Sequence, residues 1–325
     1  MSGGIVISKR GLIRAGIPLP GIIADAGERT AHRFIEFFAA TIRNKHTRIA
    51  YVHAVARFLQ FCEVRGLTLE RIDSLVVATY IEHLTQIRSA PTVKLHLAAI
   101  RVCLDWLVSG GALGVNPAWS VRGPRHVVKK GKTPVLSAAQ ARELLDSIDT
   151  TTLIGLRDRA LIGVMVYSFA RVGAVVKMNV EDYWQNGKRW WLRLHEKGGK
   201  HHEVPAHHNA EAYLDAYVYA ASIALDRSSP LFRTFDRKAG QAVTERRMNT
   251  NDVLRMIKRR ARRIGLPIGT CCHTFRATGI TAYLENGGTI EKAQAIAAHE
   301  SPRTTKLYDR TRDEITLDEI EKISI

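Results

Sequence analysis

The sequence predicts a two-domain, mainly α-helical protein whose second domain carries a small β-hairpin or sheet. Three observations lead there. The 325 residues are 46% hydrophobic and 24% charged, enough apolar mass for two ordinary cores and too much for a disordered chain. Apolar residues in the first third recur at spacings of three and four, with no alternating run. A basic stretch with Gly, Pro and no acid then interrupts the pattern, and a fresh helix start follows it.

In the first domain, Tyr51, Val55, Phe58, Leu59 and Cys62 fall on one helical face, and Gly66 ends that helix. Residues 73–86 form a further helical stretch. Leu95, Ala98, Ile100, Cys103, Leu104 and Leu107 mark another, stopped at Gly110 and Gly111. These stripes are core positions of a small bundle over residues 31–122, preceded by an N-terminal extension, residues 1–30. RGPRHVVKKGK, residues 122–132, packs poorly and suits a linker, placed at 123–133. Its Lys129, Lys130 and Lys132 are candidate phosphate contacts.

The second domain, residues 134–325, opens at Ser137 with Gln140 three positions on, a capping box before the helix SAAQARELLDSI. Residues 160–169 read as a buried helix. Residues 190–195 and 203–205 read as a hairpin turning at EKGGK, where Gly198 and Gly199 permit the reversal and Lys197 and Lys200 flank the tip. Helices follow. In RMIKRRARR six of nine residues are basic; Lys258, Arg259 and Arg262 are candidate DNA contacts, with a solvated helix face as the alternative.

Lys and Arg number 48 against 31 Asp and Glu, a net charge of +17, and the sequence pI is about 10.0. Such a balance favours a polyanionic partner, nucleic acid first. The excess is +8 up to Arg125 and +9 beyond it, so it is shared between the domains. Two basic domains suit a clamp on a duplex better than one charged arm does. No apolar run approaches the roughly 18 residues of a membrane span, and the start lacks a secretory signal, which points to a soluble intracellular protein. Cys62, Cys103, Cys271 and Cys272 are too few and too irregular for a disulfide framework or a metal pair. His201, His202, His207 and His208 read as part of a solvated basic loop.

Phosphate chemistry without a metal needs fixed positive donors, which paired guanidinium groups supply. Arg171 directly follows the apolar run LIGVMVYSFA, a poor setting for a solvated arginine unless it is a salt-bridge partner or a positioned ligand. In CCHTFRATGI, Arg276 stands three positions after His273, which on a helix places both on one face. His299 ends the helix TIEKAQAIAA, and Tyr308 lies nine residues further on.

This set, with its intervals of 23 from Arg276 to His299 and nine to Tyr308, resembles the tyrosine recombinase (phage integrase) family, including its Xer-like members. The likeness spans nearly the whole chain, from T-x-x-x-Y at Thr47 and Tyr51, through TPVLSAAQARELL, to T-T-x-x-Y before the tyrosine. It implies a C-shaped two-domain DNA clamp, with a helical SAM-like core-binding domain and a catalytic domain. Arg171, Lys197, His273, Arg276, His299 and Tyr308 match the family's catalytic positions, Lys200 being the alternative lysine, and Asp182 matches a supporting acid. The implied chemistry is attack of Tyr308 on a DNA phosphate, without metal or other cofactor, in a homo-tetramer on paired duplex sites, in the cytoplasm of a bacterium at its nucleoid. The tail ITLDEIEKISI suits docking into a neighbouring subunit or packing on its own domain. A type IB topoisomerase and a silent DNA-binding accessory protein are the alternatives. The short N-terminal extension disfavours a lambda-like arm-binding domain and favours resolution or transposon integration.

Four positions depart from the family pattern. Where R-V-S-E is usual, Gly173 and Ala174 follow Arg171, so the carboxylate is missing and what orients Arg171 is open. Ala277 replaces a common histidine, and Ala298 a common glycine.

Overall fold

The computed structural model describes residues 19–127, 131–196, 199, 201–236, 242–309 and 320–321. The chain divides into two compact units, Met1–Val127 and Val128–Ile325, and is mostly helical with small antiparallel sheets.

The first unit comprises α1 (Gly21–Asp25), α2 (Glu28–Glu36) running into a π-helical turn (Phe37–Thr41), α3 (Lys45–Glu63), α4 (Ser74–Ile87) and α5 (Ala90–Ser109). Side-chain oxygens fix two of the starts: Asn44 accepts from the amides of His46 and Thr47, and Asp73 from that of Val76. Phe34, Phe37, Phe38, Phe58, Leu59, Leu97 and Leu104 fill the core. Residues 21–30, assigned from sequence to an extension, fold into it. Ile22 and Ile23 are buried, and the Ile22 amide donates to Glu63 at 2.9 Å. A five-residue helix is too short to show a helical repeat, so its two core residues carry no periodic signal.

In the second unit α6 (Ala138–Asp146) begins with the complete capping box: Gln140 N–H donates to Ser137 Oγ, and Ser137 N–H to Gln140 Oε1. The largely buried α7 (Leu153–Tyr167), apolar but for Arg157, Asp158 and Arg159, forms the centre, followed by α8 (Val172–Val175). A three-stranded antiparallel sheet, β1 (Tyr183–Asn186), β2 (Arg189–His195) and β3 (His201–Pro205), leads to α9 (His208–Ala220). Next come the two-stranded sheet β4 (Arg233–Asp236) and β5 (Ala242–Arg247), then α10 (Thr250–Arg263), α11 (Cys272–Glu285), α12 (Ile290–Ile296) and α13 (Pro302–Lys306).

Strands β4 and β5 differ from the purely helical expectation for this region. Arginines tie both strands down: buried Arg233 donates to Asp226 and the Pro230 carbonyl, and half-buried Arg247 to the carbonyls of Val176 and Met178. A strand buried through guanidinium groups shows no apolar alternation. The four histidines also lie otherwise than in a loop: His201 and His202 are in β3, and His207 caps α9 while stacking on Tyr167. Gly279 lets α11 press on α7, since a Cβ there would collide with the Val166 carbonyl oxygen. Among the described residues no helix is long and apolar enough to cross a membrane.

Candidate active site

α11 presents His273 to Tyr308, which follows α13, and Arg276 to Phe169 and to Ala297 at the end of α12. Arg276 is 1% exposed; one Nη donates to the Phe169 carbonyl and the other to that of Ala297, at 2.6 Å. Its Nε is buried and has no partner. Burial and the nearby Arg171 hold its pKa down to about 10.

Both carbonyl partners adjoin strained backbone. Phe169 and Ala298 have φ of 54° and 47°, left-handed values that side chains other than glycine's disfavour. The turn at 298 carries the chain from α12 to His299 and orients the Ala297 carbonyl, so the alanine that replaces the usual glycine sits in a glycine conformation. Ala298→Gly should therefore stabilise the fold by about 1 kcal/mol, read as a higher midpoint in urea or thermal unfolding.

Tyr308 is buried in a small cluster with Phe169, Ile280, Leu284 and Ala297. Its hydroxyl lies 2.5 Å from His273 Nε2, and its ring is parallel to that of His299 at 5.8 Å. The segment leading to Tyr308 is held on both sides: Thr281 Oγ1 donates to the Tyr308 carbonyl at 3.0 Å, and His299 Nδ1 and Thr305 Oγ1 share a hydrogen bond of 2.9 Å. One residue earlier, the Leu307 carbonyl accepts from the amide of Gly131 at 3.2 Å, where a Cβ would lie 3.0 Å from that oxygen.

Burial raises the Tyr308 pKa despite the lowering pull of Arg276 and Arg171, so the resting phenol keeps its proton. His273 is lowered by burial and then by the same two arginines. His299 is pushed down to about 3, by burial first and by Arg276, Arg171 and His273 after it. Between about pH 3 and 6.5 His299 is neutral in the fold but protonated in the unfolded chain, which therefore binds more protons, and stability falls as pH drops through that window. The contribution lost between pH 7 and pH 5 is about 2 kcal/mol. His299→Gln should flatten the pH dependence of urea unfolding over that range.

Arg171 caps the start of α8, and its Nη1 donates to Glu196 Oε2 at 2.6 Å; its side chain is 42% exposed and that of Glu196 7%. Asp182 is buried, its Oδ2 lying 2.6 Å from His195 Nε2 and accepting from the Asn179 amide. It therefore anchors the end of β2. Arg171, His273, Arg276, His299 and Tyr308 thus converge, while Asp182 stands behind them. Lys197, Lys200, Lys129, Lys130 and most of the tail lie outside the described residues.

Lys132 is exposed. On α10, Arg259 and Arg262 are exposed, whereas Lys258 donates to the Ile268 carbonyl and Arg260 is paired with buried Asp158. The run is therefore divided between structure and surface. Sequence reasoning missed Glu196 and His195, whose signal is purely spatial, and met Thr305 only as part of T-T-x-x-Y, without its bond to His299. In the first unit, it missed the cleft of about 630 Å³ lined by His53, Arg57, Gln60, Arg88 and His96.

The phage integrase family model matches residues 134–314, and the phage integrase N-terminal SAM-like domain model residues 32–111. Tyrosine recombinase XerD of Listeria monocytogenes serotype 4b is 26% identical over 267 residues, 80% of this chain and 86% of that protein. Tyrosine recombinase XerC of Escherichia coli O139:H28 is 26% identical over 268 residues, covering 81% and 84%. Among solved structures, XerH site-specific recombinase bound to palindromic difH substrate in a post-cleavage complex superposes with a TM-score of 0.67 at 15% identity, covering 96% of this chain and 98% of that one. A lambda integrase tetramer bound to a Holliday junction gives 0.64 at 17% identity, covering 88% and 78%. These likenesses establish the fold, and with a family model covering more than half its length the chain belongs to the phage integrase family as an enzyme of the tyrosine recombinase class.

Proposed function

We propose that this enzyme is a site-specific recombinase that cleaves and rejoins duplex DNA through a 3′-phosphotyrosyl intermediate. The observation that carries the reading is the Tyr308 hydroxyl 2.5 Å from His273 Nε2, beside an Arg276 whose buried Nε has no partner. A buried guanidinium donor without an acceptor costs free energy that a phosphate oxygen would offset.

His273, neutral at pH 7, accepts the Tyr308 proton as the phenolate oxygen bonds to phosphorus in line. Arg276 and Arg171 brace the non-bridging oxygens, and His299, kept neutral by its surroundings, offers a hydrogen bond to one of them. The bond from phosphorus to the 5′ oxygen breaks, and a lysine of the β2–β3 turn, Lys197 or Lys200, supplies that oxygen's proton. The ester conserves the bond energy, so attack by a 5′-hydroxyl of a second strand reseals the DNA. Exchange of both strand pairs proceeds through a Holliday junction in a homo-tetramer on paired sites. This is the assembly described for the lambda integrase neighbour, and it supports the same reading here. Work for a mobile element or plasmid, by integration or resolution, fits the family.

The test is incubation with a library of nicked duplexes that includes the DNA flanking the gene, followed by denaturing gels. The expected result is a covalent protein–DNA band labelled through the 3′ side of the break, formed in the presence of EDTA. Tight binding with no covalent band would refute the reading, and relaxation of single supercoiled circles without pairing would favour a topoisomerase.

A further inference from the structure

Glu196, which follows β2 and precedes Lys197, takes no part in the chemistry above. Its side chain is nonetheless 7% exposed, and its Oε2 accepts from Arg171 Nη1 at 2.6 Å. A carboxylate so buried is retained only where a cation or several donors satisfy it. Arg171 in turn has its backbone fixed at the start of α8, where its carbonyl accepts from the amides of Ala174 and Val175, but no helix cap or core packing fixes its half-exposed side chain. Position 174, where the R-V-S-E pattern has its carboxylate, holds an alanine 3% exposed within the apolar core.

We propose that Glu196 is the positioning residue for Arg171, supplying from the end of β2 the carboxylate that position 174 lacks. The inference rests on the reading of Arg171 as a phosphate ligand. A guanidinium has five N–H donors in a planar fork, so one Nη held by Glu196 leaves the others for phosphate oxygens, with the plane already set. The strand that carries Glu196 is itself anchored, since Asp182 lies 2.6 Å from His195 Nε2 and 3.8 Å from Arg193 Nη1. Asp182, β2, Glu196 and Arg171 form one continuous support. Because Glu196 adjoins Lys197, the same contact registers the base of the β2–β3 turn against Arg171.

The probe is the nicked duplex on which the wild-type chain forms its covalent product. Glu196→Gln should lower the single-turnover cleavage rate at saturating DNA roughly 10- to 100-fold while DNA affinity stays nearly unchanged. Ala174→Glu, added to Glu196→Gln, should recover most of the loss, because a carboxylate at the third position of α8 can reach back to Arg171. That carboxylate enters an apolar cluster and can prevent folding, so Glu196→Asp is the second variant; it keeps the charge and should cleave faster than Glu196→Gln. A Glu196→Gln rate equal to or above that of the wild type, or equal rates for the Gln and Asp variants, would overturn the proposal. Failure of the wild type to form any covalent product would overturn the reading of the site beneath it, and is recognised before any variant is made.

Discussion

Replacing Tyr308 with phenylalanine should remove the covalent protein–DNA product, a loss on the order of 10⁴-fold or more in strand cleavage, while duplex binding persists. The substitution is clean for a structural reason. The ring fills a pocket among Phe169, Ile280, Leu284 and Ala297, and phenylalanine keeps that volume. The hydrogen bond to His273 that is lost is worth about 1 kcal/mol. The comparison of wild type and variant on one denaturing gel therefore reports the nucleophile and not the fold. A band of equal intensity from the phenylalanine variant would move the nucleophile elsewhere.

Arg276 is the second position of large effect, because the proposed reaction and the fold draw on different atoms of it. Its two Nη groups close the carbonyls of Phe169 and Ala297, while Nε is left over. Arg276→Lys keeps the charge but replaces a planar fork by a point donor, which reaches at most one carbonyl and presents no preset face to a phosphate. Cleavage should fall on the order of 10³-fold. Arg276→Ala should in addition destabilise the protein by about 2–5 kcal/mol, since two buried acceptors lose their partner; differential scanning calorimetry should show the unfolding midpoint falling by on the order of 10 °C. Cleavage by the lysine variant within tenfold of wild type would remove Arg276 from the phosphate site.

Legibility of the sequence followed the range of the interactions. Helices with local starts were readable, as at Asp73 and at Ser137 with Gln140, because a cap and its recipient lie within three residues. His273 and Arg276 were readable as one face of a helix for the same reason. The Arg171 to Glu196 pair spans 25 residues and the Arg260 to Asp158 pair 102, and neither carries a periodic signal. Arg260 accordingly looks from sequence like one more member of a basic surface run, whereas its guanidinium is spent inside the unit. β4 and β5 escaped because Arg233 and Arg247 are drawn inward by carbonyl partners and not by apolar alternation. The state of the nucleophile was also invisible: two arginines suggest an eased deprotonation, and only the buried setting shows that desolvation outweighs them before DNA is bound.

The hydrogen bond from Gly131 to the carbonyl next to Tyr308 bears on where the catalytic unit begins. The match to the phage integrase model that covers Tyr308 starts at residue 134, yet the chain already braces the residue next to Tyr308 three positions earlier, where a side chain would crowd the Leu307 oxygen. What resembles a tether in composition thus ends as a strut. The smallest piece of this protein that holds Tyr308 as the full chain does is therefore longer than the piece that this match marks out.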